Sequence, residues 1–115
     1  MIRGELWWAD FGIPFGSEAG YRRPVLIMQN DFFNKSNINT TIVIPLTTNM
    51  ILADAPGNMM ITKSESKLKK DSVMVLSQIK AIDRLRLIEK ITKIDRGLME
   101  NVEKNMLFIL GISKI

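Results

Sequence analysis

Short apolar runs separated by glycine and proline dominate the first half of the chain. The runs over residues 5–10, 24–29 and 40–46 are rich in aromatic or β-branched side chains, which is typical of strands. Residues 11–20 contain three glycines and one proline, and this composition predicts a loop. Because Pro24 has no N–H to donate, we expect it at the first position of its strand or on a sheet edge.

The pattern of short strands continues into the second half. A turn signal at residues 55–58 leads into a short strand over 59–62, and a polar loop over 63–70 precedes another strand over 71–77. Several short strands with turns between them predict a closed or rolled antiparallel barrel.

The C-terminal segment has the apolar spacing of a helix. Asp95 is the expected N-cap, apolar residues recur at helical spacing from Leu98 to Leu110, and Gly111 stands where a C-cap glycine would. Residues 85–94 are ambiguous, because their apolar positions recur every third residue whereas their β-branched side chains favour a strand.

Composition indicates one cytoplasmic domain spanning residues 1–115. The chain is 46% hydrophobic and 24% charged, which is ordinary for a globular protein. It has no apolar run near the roughly 20 residues that cross a bilayer, and the charges near its start argue against a signal peptide. We therefore expect no membrane segment.

The residue types that are missing restrict the chemistry. The chain has neither cysteine nor histidine, so it lacks disulfides, thiolate metal sites and the commonest acid–base side chain near neutral pH. Catalysis would have to rely on arginine, lysine, hydroxyl or carboxylate groups. We expect no metal and no cofactor.

Positive charge is concentrated in one segment. The net charge is +4, and residues 63–93 carry nine basic against four acidic side chains, whereas the rest of the chain is nearly balanced. Such an excess suits a polyanion, because phosphate neutralisation releases counterions. The same charges could instead form a solvated face.

Three polar clusters lie where predicted strands meet loops. Arg22 and Arg23 precede the second strand, behind the loop segment Gly16-Ser17-Glu18. An inward guanidinium would match phosphate oxygens, although a solvated or carboxylate-paired arginine fits the sequence equally well. Thr47-Thr48-Asn49 ends the third strand and could bind a phosphate or form a turn. Ser77-Gln78 ends a later strand, where the amide could read a base edge.

Taken together and in order, these clusters resemble the MazF/PemK toxin family. The resemblance covers essentially the whole chain, through RGELWWAD (3–10), GSE (16–18), RPVLIMQN (23–30), IPLTT (44–48), KDSV (70–73), SQI (77–79), IDR (82–84) and the helix over 98–110. It implies an SH3-like antiparallel β-barrel with a long C-terminal α-helix, assembled as a homodimer. It also implies a helical turn near residues 84–87 and a strand near 88–93, which resolves the ambiguous segment.

The resemblance also implies an activity and a partner. The activity is sequence-specific, metal-independent cleavage of single-stranded RNA, which leaves a 2′,3′-cyclic phosphate and a 5′-hydroxyl. The partner is a cognate antitoxin protein that would block the RNA groove.

By this resemblance, Arg23 and Thr47 are the expected catalytic residues. Arg23 would stabilise charge on the phosphate, and Thr47 would hydrogen-bond a phosphoryl oxygen. Family accounts also assign proton transfer to this arginine, which its strong basicity makes demanding. Thr48 is expected to contact the RNA, and it is also the alternative to Thr47, because only one of two adjacent strand residues can point inward. Arg22 matches a variable position, so we expect a surface charge or a peripheral phosphate contact.

Further residues match positions near the family's RNA-binding surface. Ser17 and Glu18 match loop residues beside the active site, and Glu18 is the nearest carboxylate candidate for a base. Gln78 matches a position that lines the RNA-binding face. Trp7 and Trp8 alternate across a strand, so one ring should face the core and the other the surface.

Two other interpretations share this fold. A CcdB-type toxin has the same barrel and dimer but acts by binding gyrase, and it lacks the Arg23/Thr47 combination. A plain RNA-binding small barrel would be supported by the basic segment alone.

Overall fold

The structure, a computed structural model, describes residues 1–12, 16 and 21–113. Its strands are β1 (Glu5–Asp10), β2 (Arg22–Ile27), β3 (Thr40–Thr47), β4 (Met59–Ile61), β5 (Ser72–Met74), β6 (Lys80–Asp83) and β7 (Leu87–Lys93). Its α-helices are α1 (Asp31–Asn34), α2 (Lys63–Ser66) and α3 (Arg96–Ile109). Three 3₁₀ turns cover Met50–Asp54, Leu76–Gln78 and Arg84–Arg86. No helix in this part of the chain is long and apolar enough to cross a membrane.

Strand β3 connects most of the sheet. The strand order is β4-β5-β3-β2-β1-β7, with β6 also paired to β3, and the described pairs are antiparallel. The first four residues of β3 pair with β6, residues 43–45 pair with β2, and residues 46–47 pair with β5. The strand therefore changes partner near its C-terminal end, at Pro45.

Pro24 lies at the third position of β2, so of its two expected placements, the first position of the strand or a sheet edge, the first does not hold. It pairs with Trp8 on β1, and the β2–β3 ladder ends one residue away, at the Val25–Pro45 pair. At Pro24 the strand is consequently a local edge on the β3 side, where no donor is needed.

The hydrophobic core lies on both faces of the central strands, because side chains alternate along a strand. Leu6, Leu26 and Ile44 stand opposite one another on adjacent strands and pack in a cluster with α3. The opposite face buries a second cluster around Ile27 and Val43. The apolar stripe of α3 covers the first cluster through the buried side chains Leu98, Met99, Val102 and Met106.

Most of the predicted elements are confirmed. β1 has the predicted bounds, and the side chain of Asp95 caps α3 by accepting from the backbone N–H groups of Gly97 and Leu98. Gly111 follows α3 with a φ of +74°, as a C-cap glycine should. The ambiguous segment is a 3₁₀ turn followed by strand β7, as the family resemblance implied.

Some local predictions are wrong. The loop expected over 63–70 contains α2, which a capping box between Thr62 and Glu65 stabilises. The strand expected over 71–77 stops at Met74 and continues as a 3₁₀ turn. Neither α1 nor β6, each four residues long, is among the predicted elements, although the side chain of Asn30 caps α1 by accepting from the N–H of Phe32.

A buried carboxylate ties β1 to β7. Glu5 is 5% exposed, and its carboxylate accepts hydrogen bonds from Trp7 Nε1 at 3.0 Å and from the Ile2 N–H at 2.8 Å. Lys90 on β7 lies 3.0 Å away as its ionic partner. Burial raises the pKa of Glu5, but the hydrogen bonds from Trp7, Lys90 and Ile2 together outweigh it, so the pKa lies below its ordinary value.

We predict that Glu5→Gln destabilises the fold by about 2 kcal/mol at pH 7, because it removes a buried charge-assisted network. A lowered folded-state pKa adds stability above the unfolded pKa, and this contribution disappears as the pH falls through the folded value. Urea unfolding of both proteins from pH 7 downward should show their stabilities converging below the ordinary pKa of 4.5. The exposed Glu89→Gln is the matched control on the neighbouring strand. A difference in unfolding free energy that does not change with pH would contradict the role assigned to the Glu5 carboxylate.

Candidate active site

A cavity of about 520 Å³ opens where β3 leaves β2 and pairs with β5. Both prolines of this region lie at the point of divergence, since the β2–β3 ladder stops at Pro45 and Pro24 donates no hydrogen bond across the gap. The last residues of β3 and the first residues of β2 therefore line an opening. Residues of the segment after α2, of β1 and of β7 also line the cavity.

Arg23 and Thr47 meet at this opening. The β2–β3 register pairs Val25 with Pro45, and its continuation by two residues places Arg23 opposite Thr47. Nη1 of Arg23 donates a hydrogen bond to Oγ1 of Thr47 at 3.3 Å, and both residues are half-buried and line the cavity. The structure thus brings together the two residues that the sequence singled out.

The Thr47 hydroxyl is arranged to donate to a ligand. Its oxygen accepts from Arg23 and also from the backbone N–H of Asn49, at 3.2 Å. A hydroxyl has two acceptor lone pairs and one proton, so both acceptor positions are occupied. Within the described part of the chain the proton has no acceptor. Thr48 also lines the cavity but is exposed, and the guanidinium contact belongs to Thr47.

The cavity is strongly cationic. Arg22 lines it beside Arg23, and three lysines of the segment after α2 line it as well, namely Lys67, Lys69 and Lys70. Among the described residues that line it, none is a carboxylate. Arg22 is exposed, which agrees with the peripheral position expected for it. The arrangement suits an anionic ligand with more than one charge.

Apolar side chains form the rest of the lining: Trp8, Pro24, Leu46, Leu68 and Ile91. Trp8 faces this cavity, whereas Trp7 packs against the second core cluster and bonds to Glu5, so the expected division between the two rings is confirmed. A flat aromatic face between cationic groups can stack on a nucleobase.

Other predicted site residues lie elsewhere. Gln78 belongs to the 3₁₀ turn after β5, is half-buried, and does not line the cavity. Ser17 and Glu18 lie outside the described residues.

The sequence missed the individual roles of the basic residues. Only three of the nine basic residues in the 63–93 segment line the cavity. Others are used within the fold: Lys80 lies 4.8 Å from the centre of the Phe11 ring, and Arg86 donates to the carbonyl of Asp10. Lys90 pairs with Glu5. A charge excess averaged over the segment could not separate these roles.

The donors present fit a phosphate better than a metal ion. In residues 1–12, 16 and 21–113 there is no group of three acidic side chains that could hold a metal. The cavity instead offers a guanidinium fork, a hydroxyl and three ammonium groups, all of which bind phosphate oxygens.

The chain is similar to known proteins over nearly its whole length. The model of a family described as PemK-like, MazF-like toxin of type II toxin-antitoxin system matches residues 2–110. Endoribonuclease MazF2 of Mycobacterium bovis and Endoribonuclease MazF6 of Mycobacterium tuberculosis are each 34% identical to the chain over 112 residues. These alignments cover 97% of the chain and 98% of each relative.

Solved structures share the fold. MazF from Deinococcus radiodurans superposes with a TM-score of 0.79 at 21% identity, covering 96% of both chains. A mycobacterial endoribonuclease, solved in complex with its cognate antitoxin, superposes with a TM-score of 0.78 at 18% identity, covering 98% of this chain and 97% of the other. The predicted antiparallel barrel with a C-terminal helix is thereby confirmed. With a family model spanning residues 2–110 and relatives 34% identical over nearly their full length, the chain belongs to the PemK-like, MazF-like toxins of type II toxin-antitoxin systems.

Proposed function

We propose that this protein is a sequence-specific endoribonuclease toxin that cleaves single-stranded RNA without a metal ion. The observation that carries the proposal is the contact between Arg23 and Thr47 at the opening of a cationic cavity. Membership of the family alone does not say which residues carry out the chemistry. The contact supplies a site where one phosphate can be held by two different donors.

The reaction uses the substrate's own nucleophile. The ribose 2′-oxygen forms a bond to the adjacent phosphorus and loses its proton, while the bond from phosphorus to the 5′-oxygen breaks and that oxygen gains a proton. The products are a 2′,3′-cyclic phosphate and a 5′-hydroxyl. The protein must align the attack and stabilise charge on the phosphoryl oxygens, and each effect can contribute several kcal/mol.

Arg23 stabilises the charge that develops on the phosphoryl oxygens, and Thr47 fixes the orientation of the phosphate by donating its hydroxyl proton. Their mutual hydrogen bond orients the guanidinium before substrate binds, which lowers the cost of organising the site. No described residue that lines the cavity is a carboxylate. Glu18 therefore remains the candidate base, with Ser17 beside it.

Membership of the family supports a biological setting. We place the protein in the cytoplasm, acting through residues 1–115 as one domain and held inactive by a cognate antitoxin that covers the RNA groove. Gln78 lies outside the cavity lining, so any base contact it makes would be with a nucleotide away from the scissile phosphate.

An RNA cleavage assay tests the activity. Purified protein incubated with a long RNA in excess EDTA should cut at a recurring short sequence, because the substrate supplies the nucleophile and the chain supplies the charge stabilisation. End mapping should find 5′-hydroxyl and cyclic phosphate termini. Cleavage that chelation abolishes would refute the metal-free mechanism. RNA left intact, with or without bound protein, would favour the plain RNA-binding barrel or the gyrase poison.

Substitutions at Arg23 and Thr47 test the roles assigned to the two side chains. Arg23→Ala and Thr47→Val should each lower kcat by about 10²–10³-fold, since each removes one donor aimed at the transition state. Thr47→Ser keeps the hydroxyl and should retain most activity. Cleavage rates are measured with the mapped RNA, and melting temperatures should stay close to that of the wild type.

Thr48→Val is the matched control for Thr47→Val, because Thr48 is exposed and does not contact Arg23. A larger loss in Thr48→Val would transfer the role to that residue. An Arg23→Ala variant that fails to fold would mean that the arginine is structural.

The homodimer is also testable. The C-terminal end of α3 and the residues after it expose four apolar side chains, namely Leu107, Phe108, Leu110 and Ile112. Such a patch supports a covering partner, which we take to be a second copy. Light scattering at micromolar concentration should give twice the 13.1 kDa of one chain. Phe108→Glu should shift the mass towards the monomer, whereas Lys104→Glu on the same helix should not. A monomeric wild type would contradict the assignment.

A further inference from the structure

Lys67 has a backbone conformation that a lysine rarely adopts. It is the C-cap of α2, with φ +63° and ψ +18° in the left-handed region. Tyr21 is the other described non-glycine residue with positive φ. Helices commonly end on glycine in this conformation, because a side chain there crowds the backbone. A lysine at this position thus destabilises the turn relative to glycine.

The surrounding turn holds this conformation in place. The N–H of Lys67 closes the helix by donating to the carbonyl of Lys63 at 2.9 Å, and the N–H of Leu68 donates to the buried Ser66 hydroxyl at 3.0 Å. Leu68 packs against the main core cluster. On the other side, Asp71 accepts from the N–H of Lys63 at 2.8 Å. The backbone of Lys67 is therefore fixed from both sides.

The Lys67 side chain is exposed, and within the described part of the chain no carboxylate lies within salt-bridge distance of its ammonium group. It lines the same cavity as Arg23 and Thr47, on the wall formed by the segment after α2. The unfavourable backbone conformation therefore falls on a charged residue that lines the cationic cavity.

We propose that Lys67 binds a phosphate of the RNA next to the one held by Arg23 and Thr47. The inference rests on the proposed RNA cleavage and adds a residue that positions the strand. A lysine ammonium is a point charge on a flexible stem, so it can bind a phosphate without requiring one orientation of the phosphate oxygens. Because it contacts the backbone, Lys67 adds affinity that does not depend on base identity.

The test uses a short RNA that contains the mapped cleavage sequence and carries a 2′-deoxyribose at the cut site, so that it binds without reacting. Fluorescence anisotropy gives its Kd at several salt concentrations for the wild type, Lys67→Gly and Lys67→Asn. Both substitutions suit the left-handed conformation and remove the charge. Lys63→Ala is the control, because Lys63 is exposed on the same helix but does not line the cavity.

We expect Lys67→Gly to raise the melting temperature by a few degrees and to weaken RNA binding about threefold to tenfold. The slope of log affinity against log salt should fall by about 0.7, which is the value for one lost phosphate contact on a single strand. KM for the cleavable RNA should rise with kcat nearly unchanged. Lys67→Asn should match it in binding, and Lys63→Ala should match the wild type.

Three results would overturn the inference. An unchanged salt slope in Lys67→Gly would show that the lysine makes no phosphate contact. An equal loss of RNA affinity in Lys63→Ala would show that the effect arises from net charge alone. A lowered melting temperature in both Lys67 variants would show that the lysine stabilises the fold. In each case the wild type still cleaves RNA. A wild type that neither cleaves nor binds RNA would instead refute the proposed function itself, and this inference with it.

Discussion

The site depends on the end of one hydrogen-bond ladder. Strand β3 pairs with β2 only as far as Val25 and Pro45, and then continues for two residues along β5. Pro24 has no N–H to donate towards β3, so the ladder between the two strands does not continue past Val25. The separation opens the cavity between β2 and the β3–β5 pair, and it leaves Arg23 and Thr47 facing each other across the gap.

The molecule concentrates like charge around this opening and holds it there with a rigid framework. Arg23 is held by its place in β2 and by its hydrogen bond to Thr47. The turn over residues 67–70 is held by Leu68, which packs against the core, and by Asp71, which accepts from the backbone N–H of Lys63. The basic residues at the opening are therefore presented by a strand and a turn that the fold holds in place.

Elsewhere the charged residues serve the fold. The buried Glu5 joins β1 to β7 through Lys90, and Asp31 accepts from the backbone N–H of Arg3 at 2.8 Å. Burial raises the pKa of Asp31, but the hydrogen bonds from Arg3 and Asn34 outweigh it and lower the pKa overall. These carboxylates hold strands and turns beside the sheet without entering the cavity.

The local patterns of the sequence determined β1, β3, α3 and its caps, because alternation, helical spacing and capping chemistry are local signals. The ordered motifs singled out Arg23 and Thr47 as candidates, although they did not predict the hydrogen bond between them. Tertiary structure decided what depends on register and on distant packing: the partner exchange of β3, the pairing of β6 with β3, and the position of Gln78 outside the cavity. It also decided which lysines line the cavity, since the sequence counts charges whereas only the fold brings residues 67–70 against β2 and β3.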